Sequence, residues 1–146
     1  MRRNARVPAR RIRGFTFIEI VVAIAIIAIL ATVVVPRVIG RVGEARVARA
    51  KSDVQALRTA LDTYKLDNFN YPSTDQGLQA LINKPGGQPE AANWKQTLDA
   101  LPKDPWGRYY QYLSPGQHGE IDVYSLGKDG QPGGEGEDAD IGNWTG

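Results

Sequence analysis

The sequence predicts an α+β chain in which a long N-terminal helical spine packs, along its second half, on a small C-terminal antiparallel sheet. Three observations carry this. Residues 15–35 form an apolar run broken by only one ionisable side chain, Glu19. From Val47 to Tyr64 apolar residues recur at helical spacing. Further on, "RYYQYL" and "EIDVYSL" alternate in character on either side of the turn-rich "SPGQHG". The 146 residues leave room for one small domain beside the apolar segment. The expected organisation is a basic leader at 1–14, an apolar helix at 15–36, its amphipathic continuation at 37–66 and a globular domain at 67–146.

The leader carries Arg2, Arg3, Arg6, Arg10, Arg11 and Arg13 with no acid among them. The formal net charge of +2 therefore hides a segregation: the remaining twelve basic residues face sixteen acids, a balance of −4. The basic character belongs to the leader, which also lacks the interleaved aromatic residues of a single-strand binder, so nucleic acid is not an expected partner.

As a helix, 15–35 is long enough to cross the roughly 30 Å core of a bilayer. The arginines hold its N-terminal side in the cytoplasm. A secretory signal peptide needs a small-x-small site after the apolar stretch. Ala23-Ile24-Ala25 fits that pattern but lies in mid-run. A plain single-pass anchor must accommodate Glu19, whose charge costs a few kcal/mol deep in a membrane but less near the edge, where it can snorkel. The third reading is a precursor cut before the run begins. Pro36 then marks the interfacial end of the span.

Beyond Pro36, Val47, Ala50, Val54, Leu57, Leu61 and Tyr64 make one apolar stripe, opposed by Arg46, Arg49, Lys51, Asp53, Arg58, Asp62 and Lys65. A helix over 15–65 would span roughly 75 Å at 1.5 Å per residue. Its stripe needs a cover, most economically a sheet from the same chain. "DNFNYPSTDQG" ends the helix with turn chemistry. "LQALIN" predicts a short helix, "KPGGQPEAAN" a loop, and the two alternating segments a hairpin.

Several chemistries are excluded. Without cysteine the chain has no disulfide, no thiol nucleophile and no zinc–thiolate site. No nucleophile–base pairing, phosphate loop or set of catalytic histidines is visible, so an enzyme is not expected. His118, in "SPGQHG", reads as a solvated turn residue. Trp106, Trp144, Tyr109, Tyr110 and Tyr112 read as core packing rather than a ligand platform. The acidic, glycine-rich loop at 125–144, "SLGKDGQPGGEGEDADIGNW", gathers Asp129, Glu135, Glu137, Asp138 and Asp140. Hard cations such as calcium take six to eight oxygens from carboxylates and carbonyls, and such loops supply both. The EF-hand spacing is not met, and "GGEGED" matches half a calcium nonapeptide only once. Composition leaves both a solvated acidic loop and a calcium site open.

"RRIRGFTFIE" resembles the cleavage site of type IV prepilins and type II secretion pseudopilins. "YKLDNFNYPSTDQGL", "LPKDPWG", "YSLGKDG" and "DADIGNW" are similar, in order, to blocks of the major pseudopilins of type II secretion, so the resemblance extends from Gly14 to Trp144. It implies a pilin-like fold. It also implies a cut after Gly14, methylation of the new amine on Phe15, and an assembly role for Glu19, which would meet the amine of the next subunit. Pro36 becomes a bend or local melting, with Gly40 and Gly43 adding flexibility. Calcium is the implied cofactor, held by the Leu126 carbonyl, Asp129, Asp138 and Asp140, with Glu137 as a further candidate. Ala139 departs from the commonest pattern, in which two aspartates are adjacent.

The implied function is that of a structural subunit of a periplasmic filament that drives export of folded proteins across the outer membrane. The implied partners are further copies of the chain, minor pseudopilins, the prepilin peptidase and methyltransferase, and an inner-membrane platform with its ATPase. Membrane lipid is the partner before assembly. The implied location is the inner membrane, crossed once, with a cytoplasmic N-terminus and a periplasmic C-terminal domain. The alternatives are a type IV pilin for adhesion or motility and a membrane-tethered calcium-binding module.

Overall fold

The computed structural model describes residues 14–145; of 33–39 it describes the backbone alone. The arginine leader at 1–13 lies outside the described residues. The elements in order are helix α1 (Phe17–Asn68), a 3₁₀ turn (Leu78–Leu81), strands β1 (Gln111–Leu113) and β2 (Asp122–Ser125), a second 3₁₀ turn (Gly136–Asp138) and strand β3 (Ile141–Gly142). They fall into two compact units, divided between Ile39 and Gly40.

In the first unit the helix begins on a reciprocal cap. The Thr16 hydroxyl accepts the Glu19 N–H (3.3 Å) and the Glu19 carboxylate accepts the Thr16 N–H (3.4 Å). Two backbone donors that a helix start leaves unpaired are thereby satisfied. Beyond the cap the large apolar residues from Phe15 to Leu30 are 43–85% exposed. They occupy every face of the helix, the pattern of a segment whose surroundings are themselves apolar. Among the described residues no helix is long and apolar enough to cross a membrane. The side chains of 33–39, which would complete the expected span at 15–36, lie outside that description. The backbone is helical from Phe17 through Pro36, Gly40 and Gly43. A proline removes one intrahelical hydrogen bond, and the turns on either side carry the helix past it.

In the second unit the expected stripe is the core. Ala50, Val54, Leu57, Leu61 and Tyr64 are all buried, with Val47 half-buried at the rim. The helix ends where the turn signals place it. Phe69 adopts a left-handed φ of 67°, its N–H bonded to the Lys65 carbonyl (2.7 Å), while the Asn68 amide donates to the Tyr64 carbonyl (3.0 Å). Leu78 and Leu81 from "LQALIN" join the core, but on a 3₁₀ turn rather than an α-helix. Four residues between glycine-initiated and proline-rich loops are too few to repay α-helical nucleation.

The hairpin forms as expected, with Tyr112 opposite Val123 and Gln111 opposite Tyr124. A third strand, β3, pairs antiparallel with β2 through Tyr124–Gly142 and Ser125–Ile141, giving the order β1-β2-β3. The sheet contributes Tyr112 and Val123 to the core, beside Tyr110 and Ile121, against the stripe of α1. Two of the buried phenols are bonded: Tyr110 donates to Asp53 (2.9 Å) and Tyr112 to the Pro72 carbonyl (2.8 Å).

Glu137, on the second 3₁₀ turn, lies against Gly43 of α1, and its carboxylate is 3.8 Å from the Arg46 guanidinium. A β-carbon at Gly43 would collide with the Glu137 carboxyl group. Gly43→Ala is therefore expected to force the Glu137 side chain aside, which cancels much of the roughly 1 kcal/mol that alanine gains over glycine inside a helix. In a Glu137→Ala background the same change should stabilise by about that full amount. Thermal unfolding of the four proteins of this double-mutant cycle measures the coupling, and strict additivity would contradict the contact.

Burial, reinforced at Tyr110 by the hydrogen bond to Asp53, pushes the Tyr110 phenol above its ordinary range, and burial does the same to Tyr112. A raised pKa in the folded state means that the unfolded chain loses these protons first. Their contribution to stability is complete below the unfolded value of about 10 and is lost as pH rises beyond it. Stability measured by urea unfolding should fall between about pH 10 and 11.5, with the buried phenols ionising, by ultraviolet absorbance, only as the chain unfolds.

Candidate functional site

Two regions carry the sequence-derived site residues, and each belongs to its own unit. At the N-terminal region Gly14 is exposed, and a β-carbon there would meet no atom within 4 Å. Nothing among the described residues therefore requires glycine at this position. Phe15 is 79% exposed immediately after it. Glu19 sits at the third position of the helix, held by the Thr16 cap. The signal for that cap, Thr16-x-x-Glu19, is plain in the sequence, but a reading of Glu19 as a charge alone passes over it. Pro36 lies on α1, its side chain outside the described residues.

The second region is the connection from β2 to β3, residues 126–140, which the hairpin pattern alone does not foresee as a closed loop. Two hydrogen bonds shape its first turn: Gly130 N–H to the Leu126 carbonyl (3.2 Å) and Gln131 N–H to Asp129 Oδ1 (3.0 Å). Lys128 N–H reaches across to the Glu137 carbonyl (2.8 Å). The returning half is held by Asp140, whose N–H donates to the Gly133 carbonyl (3.0 Å) and whose Oδ2 accepts the Gly133 N–H (2.9 Å). Two glycines are needed for this closure. Gly127 (φ 63°) and Gly134 (φ 81°) both have the Asp138 carbonyl where a β-carbon would stand.

Leu126 and Asp140 line one cavity of about 210 Å³, with Leu113, His118, Asp122 and Trp144 among its walls. Asp140 Oδ1 is buried and has no hydrogen-bond partner among the described residues. Asp129 is exposed on the 127–130 turn. Asp138 contributes its backbone to the loop closure, and Glu137 is turned toward Gly43 and Arg46. Among the described residues no three acidic or histidine side chains converge closely enough to hold a metal ion. A cation here would draw on backbone carbonyls as much as on carboxylates, which hard cations accept. Leu126 and Asp140 share one cavity, and a backbone carbonyl and a carboxylate oxygen are donors of the kind such an ion takes.

His118 is not simply solvated. Its Nδ1 is 2.9 Å from Asp122 Oδ2, and its ring stacks on Trp144 with centroids 3.8 Å apart. Asp122 is buried and also accepts the backbone N–H groups of Gln117 (2.7 Å) and His118 (3.1 Å). It thus serves as the internal brace of the β1–β2 turn, a role that the turn composition did not reveal. Of the aromatic residues expected in the core, Tyr110 and Tyr112 are buried. Trp106 and Trp144 are half-buried, and Tyr109 is exposed.

Comparison with known proteins joins both regions. Residues 9–35 match the prokaryotic N-terminal methylation motif, and residues 37–144 match the family described as type II secretion system (T2SS), protein G. The chain is 56% identical to the type II secretion system core protein G of Pseudomonas aeruginosa, over 92% of this chain and 96% of that one. It is 54% identical to the protein of the same name from Vibrio cholerae, over 93% and 94%. The crystal structure of the major pseudopilin from the type 2 secretion system of enterohaemorrhagic Escherichia coli matches with a TM-score of 0.66 and 49% identity. That match covers 77% of this chain and 97% of the other. With the described helix and sheet in the order the sequence predicts, the chain belongs to the type II secretion system protein G family.

Proposed function

We propose that this chain is a structural subunit of the type II secretion pseudopilus, held in the inner membrane by its apolar helix until assembly. One observation carries the reading: the N-terminal unit exposes large apolar side chains on every face, directly after a capped helix start and an exposed glycine. Such a surface requires an apolar environment throughout its working life. Lipid supplies it before assembly, and the equivalent helices of neighbouring copies supply it afterwards. The chain is cut after Gly14, where glycine serves the peptidase rather than the fold, and the amine of Phe15 is then methylated.

Glu19 stands one helical turn from that new amine and is pre-oriented by Thr16. An isolated carboxylate in an apolar setting is costly, and pairing with the amine of a neighbouring copy offsets the cost, so the charge selects correct axial register. The C-terminal domain faces the periplasm. Minor pseudopilins and an ATPase-driven inner-membrane platform complete the apparatus, this chain supplying geometry rather than covalent chemistry. Glu19→Ala should leave the chain inserted, cut at Gly14 and methylated on Phe15 by mass spectrometry, yet reduce filament assembly at least tenfold. Normal assembly would sink the assigned role.

We further propose that calcium occupies the β2–β3 loop, with the Leu126 carbonyl, Asp129 and Asp140 as ligands and Asp138 completing the set. The buried, unpartnered Asp140 oxygen supports this. So does the absence of any cysteine that would close the loop covalently. The ion supplies charge compensation and a cross-link between the two ends of the loop. Saturation at about 100 times the dissociation constant stabilises a folded protein by about 2.7 kcal/mol. The melting temperature of the full chain in detergent should therefore rise by several degrees between chelator and excess calcium. Asp129→Ala and Asp140→Ala should each shrink that rise. An unchanged melting temperature would leave the loop as solvated acid.

A further inference from the structure

The segment "LPKDPWGR" (101–108) has no part in the processing site, the apolar helix or the loop itself, yet it meets the loop at its root. Asp104 is 4% exposed. Its Oδ1 accepts the backbone N–H groups of Trp106 (3.1 Å) and Arg108 (2.8 Å), and its Oδ2 accepts the Ser125 hydroxyl (2.7 Å). Ser125 Oγ in turn accepts the Gly127 N–H (3.3 Å). Arg108 closes the circuit by donating from its guanidinium to the Gly127 carbonyl. The Arg108 guanidinium also lies against Gly130, where a β-carbon would come within 3.1 Å of it.

The consequence follows from the planarity of the peptide group. The Leu126 carbonyl and the Gly127 N–H share one rigid plane and point in opposite directions. Holding the N–H on Ser125 therefore fixes where the carbonyl oxygen faces. Arg108 fixes the next plane through the Gly127 carbonyl, so neither plane can rotate independently. The Leu126 oxygen accepts one hydrogen bond, from Gly130, and retains a second lone pair.

We propose that Asp104, Arg108 and Ser125 are positioning residues for the cation: they orient the Leu126 carbonyl before any ion binds. This rests on the calcium reading given above. None of the three is a ligand; each acts through the Leu126–Gly127–Lys128 backbone. Outer-shell partners of this kind alter metal affinity by about 10–100-fold when removed.

The test is calorimetric titration of the full chain in detergent micelles with calcium chloride, beside amide hydrogen exchange at residues 126–130 in chelator. Ser125→Val and Arg108→Gln should weaken calcium binding at least tenfold and accelerate exchange at Gly127. Ser125→Thr, which restores the hydroxyl at nearly the volume of valine, should bind within threefold of the wild type. A merely structural role for Ser125 would leave the threonine and valine variants alike. Arg108 is half-exposed at its side chain, so Arg108→Gln provides a folded variant if Ser125→Val does not fold. Calcium affinity within twofold of wild type in both Arg108→Gln and Ser125→Val would overturn this proposal alone. A wild-type chain that binds no calcium would overturn the calcium reading and this proposal together.

Discussion

The C-terminal unit depends on the burial of one helical stripe. The stripe of Ala50, Val54, Leu57, Leu61 and Tyr64 cannot be covered by its own helix, and a sheet of three short strands is too small to be stable without a cover. Each element therefore completes the other. Tyr112 and Val123 reach the stripe from the sheet, Leu78 and Leu81 from the 3₁₀ turn, and the hydroxyls of Tyr110 and Tyr112 find acceptors at the margins. Tyr110 and Tyr112 thus bury their rings while their polar tips stay paired.

The N-terminal unit follows the opposite logic. Its described large apolar side chains are exposed on every face of the helix, so their environment must be supplied from outside. A helix start under those conditions faces a particular difficulty, because unpaired N–H groups cannot be left to water. Thr16 and Glu19 satisfy two of them locally. The same carboxylate that would be a liability in an apolar setting is thus part of the helix cap before any neighbour engages it, and its orientation is set at no cost to the rest of the fold.

The long β2–β3 loop illustrates how a chain without disulfides restrains a glycine-rich excursion. One end is held by the Asp104–Arg108–Ser125 circuit, the other by β3 pairing with β2, and the middle by Glu137 against Gly43 and Arg46. Glycine at 127 and 134 admits the Asp138 backbone into the space where side chains would otherwise be. In this loop the buried Asp140 Oδ1 and Glu137 Oε2 have no hydrogen-bond partner among the described residues, and Asp140 lines a cavity together with Leu126.

Local pattern determined much of this protein. The apolar run, the stripe from Val47 to Tyr64, the hairpin around "SPGQHG" and the end of α1 near Asp67 are readable because period, turn chemistry and hydropathy act between near neighbours in the chain. The motif around Gly14 is readable for the same reason, as was the Thr16–Glu19 cap for anyone who tests that spacing. Tertiary structure alone decided that "DADIGNW" contributes a third strand, since two residues of β3 carry no strand signal until β2 offers them a partner. It alone decided that Glu137 turns to α1 while Asp140 turns inward, and that His118 rests on Trp144. It also placed "KDPWGR" at the root of the acidic loop. These are contacts between residues far apart in sequence, fixed by packing and hydrogen-bond completion, and no periodicity encodes them.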